Sequence, residues 1–124
     1  MKLKILIVED DTINAYYLSE VVEEISKETL TANSGLKGIE LFSNHSDIDL
    51  VLMDIKLPDI NGYEVTKQIR NYNKKVIIIA QTAYALSSDR IKALDAGCND
   101  YVSKPVSQEM LLKTINKYFI TTLN

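Results

Sequence analysis

The sequence holds a single cysteine, Cys98, and a single histidine, His45. One thiol cannot form a disulfide within the chain, and neither residue follows an expected strand, so no nitrogen or sulfur cluster is on offer for a soft metal. Cys98, within Ala96-Gly97-Cys98, reads as a small buried hydrophobe, and His45 as an exposed residue at a helix end. Positive charge is not in excess. The 14 Lys and Arg stand against 17 Asp and Glu, a net charge of −3, which leaves no basic footprint for direct nucleic-acid binding or for an anionic membrane. No apolar run approaches the roughly 20 residues that cross a bilayer. The start, Met1 to Ile5, passes into a strand pattern rather than a leader with a small-residue cleavage site. No membrane insertion and a cytoplasmic location are therefore expected. With only 4 Gly and 2 Pro, no linker, repeat or low-complexity run divides the chain, and residues 1–124 are expected to form a single domain.

What is present is a regular alternation. Leu3 to Val8, Glu28 to Ala32, Leu50 to Met53, Val76 to Ala80 and Asp100 to Ser103 have the composition of short strands. Three of them are almost continuous in Ile, Leu and Val, as strands covered on both faces should be. Between them lie apolar residues at helical spacing: Leu18, Val21, Val22 and Ile25; Leu36, Ile39 and Phe42; Val65, Ile69 and Tyr72; Leu86, Ile91 and Leu94; and Leu111, Leu112, Ile115, Tyr118 and Phe119. Ser107 is placed to cap the last helix, with Val106 before it to pack on Leu111. Parallel strands need crossover helices, so five strands alternating with five helices predict an α/β, doubly wound five-stranded parallel sheet with helices on both faces.

In such sheets ligands bind beyond the carboxyl ends of the strands. Those positions hold Glu9, Asp10 and Asp11 after the first strand, Asp54 after the apolar run Leu50 to Met53, Thr82 after the fourth, and Lys104-Pro105 after the fifth. Burying an ionised Asp is costly unless it is paired, so Asp54 should leave the core among waiting partners. Carboxylates gathered at one rim repel and imply a counterion. Mg2+ fits best, because it favours oxygen ligands and is commonly held by one or two carboxylates together with a phosphate. Lys104 would supply a positive charge and Thr82 a hydroxyl for the oxygens of a phosphoryl group on Asp54.

Four segments in this order, Ile5 to Asp11, Leu52 to Pro58, Thr82-Ala83 and Asp100 to Pro105, make the chain resemble the receiver domain of two-component response regulators. The resemblance runs from Lys4 to Phe119. It implies the strand order 2-1-3-4-5 known from flavodoxin and CheY, and it makes Asp54 the phosphoacceptor. The phosphoryl donor would be a sensor histidine kinase or a histidine phosphotransfer protein. Asp10 would bind Mg2+ directly and Glu9 through water, Asp54 and the backbone carbonyl of Lys56 would complete the protein ligands, and Lys104 would neutralise the phosphoryl oxygens. The Lys104-Pro105 bond is often cis in the family. Thr82 and Tyr101 would form a switch, the hydroxyl moving toward the phosphate and the ring turning inward. The fourth helix, fifth strand and fifth helix would then form the face offered to a downstream protein, whose identity the sequence does not carry. No output domain is expected.

Neighbouring polar residues have plainer roles. Asp11 reads as a helix cap rather than a third ligand, and Asp59 as turn chemistry within Pro58-Asp59-Ile60-Asn61-Gly62. Lys56 and Tyr84, two residues beyond Asp54 and Thr82, are expected to obstruct water and slow dephosphorylation. Other classes fit less well. A phosphohydrolase with an aspartate nucleophile, of the haloacid dehalogenase type, wants a second Asp where Lys56 stands. A flavodoxin-like cofactor carrier wants a Ser, Thr and Gly loop where Glu9-Asp10-Asp11 stands. A phosphorylation-independent interaction module would not need the complete acceptor set.

Overall fold

The computed structural model describes residues 2–83 and 87–119; Tyr84 and Leu86 lie outside them. The order along the chain is β1 (Leu3–Val8), α1 (Thr12–Val21), a 3₁₀ turn (Glu23–Ile25), β2 (Ser26–Ala32), α2 (Gly35–Asn44), β3 (Leu50–Asp54), α3 (Gly62–Tyr72), β4 (Ile77–Thr82), α4 (Ser87–Ala96), β5 (Asp100–Ser103) and α5 (Gln108–Asn116). The five strands form one sheet in the order β2-β1-β3-β4-β5, all pairs parallel.

The central strands β1 and β3 are buried throughout, whereas the edge strand β2 is mostly half-buried or exposed. This explains why the first two read as near-continuous aliphatic runs and the third carries Lys27 and Glu28. Alternation along the strands divides the core in two. Ile5, Ile7, Leu50, Leu52 and Ile79 pack with Leu18 and Val21 of α1 and Leu111 and Ile115 of α5. On the other face Leu6, Val8, Val51, Met53, Ile78 and Ala80 pack with Phe42 of α2, Val65 and Ile69 of α3, and Ala93 of α4. Ser107 caps α5, its hydroxyl accepting from the Met110 N–H at 3.1 Å.

Several expectations change. Strands β3 and β4 run on to Asp54 and Thr82, because Asp54, Gln81 and Thr82 still find backbone partners across the sheet. Strand β2 begins two residues early, at Ser26, with an irregularity between Leu3 and Lys4 in its partner. Leu36, Tyr72, Ile91 and Leu94 do not face the core and are exposed. Small residues take the inward positions instead, Gly35 and Gly38 in α2 and Ala93 and Ala96 in α4. A side chain of at most one heavy atom lets those helices lie close to the sheet, a fit that apolar spacing alone does not reveal. His45 is half-buried rather than exposed, with its Nδ1 3.0 Å from Lys4 Nζ.

Candidate functional site

The site lies at the carboxyl end of the sheet. Strand β3 delivers Asp54, and the backbone N–H of Glu9 donates to Ala32 O at 2.9 Å, which fixes the turn carrying Glu9, Asp10 and Asp11 beside it. Asp11 caps α1, its carboxylate accepting from the Asn14 N–H at 3.0 Å, so it is turned to the helix. Glu9, Asp10 and Asp54 converge, each offering one carboxylate oxygen within 4.8 Å of the others. Glu9 and Asp54 are buried, each 2% exposed, and Asp10 is exposed.

Lys104 arrives from the end of β5. Its backbone N–H donates to Thr82 O at 2.7 Å, and its peptide bond to Pro105 is cis. The ammonium lies 2.9 Å from Asp54 Oδ1 and 3.8 Å from Glu9 Oε1. Burial alone would lower the Lys104 pKa, but the Asp54 hydrogen bond and charge, with Glu9 and Asp10 behind, hold it above the ordinary value. Burial, and then the neighbouring Asp54 carboxyl, push Glu9 up to about 7, against the donors Asn14 and Asp11 N–H. One cation therefore does not fully compensate three carboxylates. An all-oxygen donor set of this kind, two members of it buried, fits a hard divalent cation.

Asp54 opens into a cavity of about 220 Å³ whose walls include Lys56, Tyr63, Gln81, Thr82 and Lys104. The Lys56 N–H reaches Asp54 Oδ1 at 3.4 Å. Above it the chain turns into α3 at Gly62, whose N–H donates to Ile55 O at 2.8 Å. A Cβ there would overlap the Asp54 carbonyl oxygen and stand 2.9 Å from Ile55 Cα, so glycine is what lets the loop bearing Lys56 lie on the acidic strand end.

Thr82 is buried at the last position of β4. Tyr101 does not enter the cavity; it is half-buried against the opposite-face core that contains Ala80, its register partner. By alternation Thr82 and Tyr101 share that face of the sheet. Asp59 departs from its expected role as a turn residue: its two carboxylate oxygens accept from the N–H groups of Gly35 and Leu36, each at 2.8 Å. It thus caps α2 from a distant loop, and those bonds lower its pKa to about 2. Cys98 is buried beside Thr66, 3.7 Å from its hydroxyl, and burial pushes its thiol up; His45 lies against Lys4, near the start of β1, and neither joins the acidic cluster.

Two site residues escape a reading based on charge. Asn14 donates from Nδ2 to Glu9 Oε1 and, at 3.3 Å, to Gln81 Oε1. Gln81 pairs in register with Asp54. A polar residue ending the run Ile77-Ile78-Ile79-Ala80 was the available signal, the same one that marks Asp54.

A buried acidic group with a fixed lysine at the carboxyl end of a 2-1-3-4-5 parallel sheet defines a class of flavodoxin-like domain with an acidic cluster that could hold a cation. The chain belongs to the response regulator receiver domain family, whose model matches residues 5–116. It is 36% identical over 120 residues to the polar-differentiation response regulator DivK of Brucella ovis, covering 95% of this chain and 97% of the relative. Among solved structures, a CheY-like response regulator receiver domain protein from Methanospirillum hungatei has a TM-score of 0.85 and 31% identity, with 94% of this chain and 93% of the other covered. A second match comes from the Saccharomyces cerevisiae co-crystal of the histidine phosphotransfer protein Ypd1 and the receiver domain of its downstream response regulator Ssk1. Its TM-score is 0.87 with 34% identity, covering 94% and 88%. The protein is a signalling domain rather than an enzyme of the ordinary kind.

Proposed function

We propose that this chain is a phosphoacceptor of a two-component phosphorelay, taking a phosphoryl group onto Asp54 from a phosphohistidine on a sensor histidine kinase or histidine phosphotransfer protein. An Asp54 carboxylate oxygen attacks phosphorus, the P–N bond breaks, and its electron pair stays on the imidazole, which takes up a proton. The observation that carries this reading is the Lys104 ammonium, 2.9 Å from Asp54 Oδ1. A cation so placed can follow the charge from the carboxylate to the phosphoryl oxygens. Glu9, Asp10, Asp54 and the Lys56 carbonyl would hold Mg2+, which would supply charge neutralisation for the carboxylates and the incoming phosphoryl group. The Thr82 hydroxyl would donate to a phosphoryl oxygen.

The partner side of the reading has its own support. The Ssk1 receiver was crystallised with the phosphotransfer protein Ypd1, and here the exposed Ile13 and Tyr17 of α1 line a hollow with Lys104 beside the site. Apolar side chains at a rim through which Asp54 must be reached suit the docking of a phosphohistidine protein. On the output side Ile91 and Leu94 are exposed on α4, next to β5 with Tyr101. The Thr82 and Tyr101 pair would shift the population of this α4-β5-α5 face for a downstream protein, as far as contacts to the phosphate differ between two states. Net charge −3 supports protein rather than nucleic acid as that partner. No helix among the described residues is long and apolar enough to cross a membrane, which accords with work in the cytoplasm. The match over almost the whole of DivK supports action as a single-domain receiver.

Phosphoramidate, a small donor with a P–N bond, provides the test. Incubated with it and Mg2+, the wild-type protein should gain a phosphoryl group that Asp54→Asn lacks. Equal labelling of both proteins, or none of the wild type by phosphoramidate or by a phosphorylated histidine phosphotransfer protein, would refute the reading.

A further inference from the structure

Gln81 is an unusual floor for this cavity. It is 1% exposed, follows four aliphatic residues, and pairs across the sheet with Asp54. Its Oε1 accepts from Asn14 Nδ2, which also donates to Glu9 Oε1. A primary amide carries two hydrogens, so Asn14 can make both bonds at once. The order Glu9, Asn14, Gln81 is then a chain of three side chains from α1's approach to the carboxyl end of β4. Its far end is incomplete: among the described residues Gln81 Nε2 is a buried polar atom without a hydrogen-bond partner. A buried donor left unpaired destabilises a fold, and an aliphatic residue at this position would avoid that loss. Gln81 lines the same cavity as Asp54, Lys56, Thr82 and Lys104.

We propose that Asn14 and Gln81 are positioning residues for the cation site: Gln81 fixes the Asn14 amide, Asn14 fixes the Glu9 carboxylate, and the spare Gln81 N–H is met by a solvent oxygen when the site is filled. Groups that hold a metal ligand by hydrogen bonds typically change metal affinity about 10–100-fold when removed. Asn14 touches Glu9 and should show the larger effect; Gln81 acts through Asn14 and should show a smaller one. The proposal rests on the reading of the acidic cluster as a Mg2+ site.

Calorimetric titration of Mg2+ into the wild type, Asn14→Ala, Gln81→Met and the double variant tests it, together with thermal melting of each protein in chelator. The expected result is a Kd raised about tenfold in Asn14→Ala and about threefold in Gln81→Met, with the double variant no weaker than Asn14→Ala because the two act in series. The metal-free Tm of Gln81→Met should equal or exceed that of the wild type, since the unpaired donor is gone, and this separates positioning from general weakening. Asn14 is half-buried on α1, so its variant keeps the test open even if Gln81→Met folds poorly. Wild-type Mg2+ affinity in both single variants, or a loss that tracks Tm alone, would overturn the proposal. Absence of Mg2+ binding by the wild type would instead overturn the metal reading beneath it.

Discussion

Lys104 and Asp54 are 50 residues apart in the chain and 2.9 Å apart at the end of the sheet. Their pairing is a consequence of topology. Strands β3 and β5 flank β4, and the residues that leave them on one face meet above Gln81. The ammonium is the nearest positive charge to two buried carboxylates, and it is itself about one-third exposed, at 32%.

Lys104→Ala should therefore destabilise the metal-free protein. Breaking a fully buried pair costs about 3–5 kcal/mol, but solvent reaches this lysine, and about 1–2 kcal/mol is expected. Urea unfolding at neutral pH in chelator measures it. Adding Asp54→Asn should restore most of the loss, because one of the two facing carboxylates then carries no charge; an additive loss in the double variant would contradict this view.

Gly62→Ala probes the backbone side of the site. The new methyl would overlap the Asp54 carbonyl, and the loop must move to admit it. About 1–3 kcal/mol of stability should be lost, with weaker Mg2+ binding because the Lys56 carbonyl moves as well. Normal Mg2+ affinity in a destabilised variant would show that this loop contributes no ligand.

The doubly covered parallel sheet and the acidic cluster were legible because each rests on a simple constraint, whereas the strand order came only with the family resemblance. Doubly covered strands need aliphatic runs, and an Asp closing such a run needs partners. The inward face of α2 was legible at Ile39 and Phe42 but not at Gly38, and that of α4 not at Ala93, since these two reach the core by being small and apolar spacing gives them no weight against Leu36, Ile91 and Leu94. Asp59 was hidden for another reason. Its partners Gly35 and Leu36 are 24 and 23 residues away, and nothing local marks a carboxylate that caps a helix from another loop. Asn14 and Gln81 carry no charge, and their importance comes from whom they touch.

Asp59 supplies a pH test. Its folded pKa, about 2, lies below the ordinary aspartate value of 3.8. Such a group stabilises the fold fully above the unfolded value, and the contribution disappears as pH falls from about 4 through 2. The Tm difference between wild type and Asp59→Ala should thus be constant from pH 7 to pH 5 and shrink toward zero at pH 2. A difference that persists at pH 2 would mean that packing, not the two charge-assisted bonds, explains the role of Asp59.

Lys56 is exposed at the mouth of the cavity, where a long side chain can hinder attacking water. Lys56→Ala should shorten the life of the phosphorylated form about threefold to tenfold, up to about 1.4 kcal/mol of barrier. Decay followed after donor removal gives the rate. An unchanged or slower decay would rule out shielding by Lys56; its proposed companion, Tyr84, lies outside the described residues.

The central claim is that Asp54 accepts phosphate with the help of a divalent cation. Intact-protein mass after incubation with acetyl phosphate and Mg2+ tests it most directly, with Asp54→Asn and a chelated sample in parallel. A single phosphoryl adduct on the wild type, absent from both controls, is the predicted result. An adduct that survives Asp54→Asn or chelation, or a wild type that stays unmodified even when quenched at the earliest times, would contradict the account.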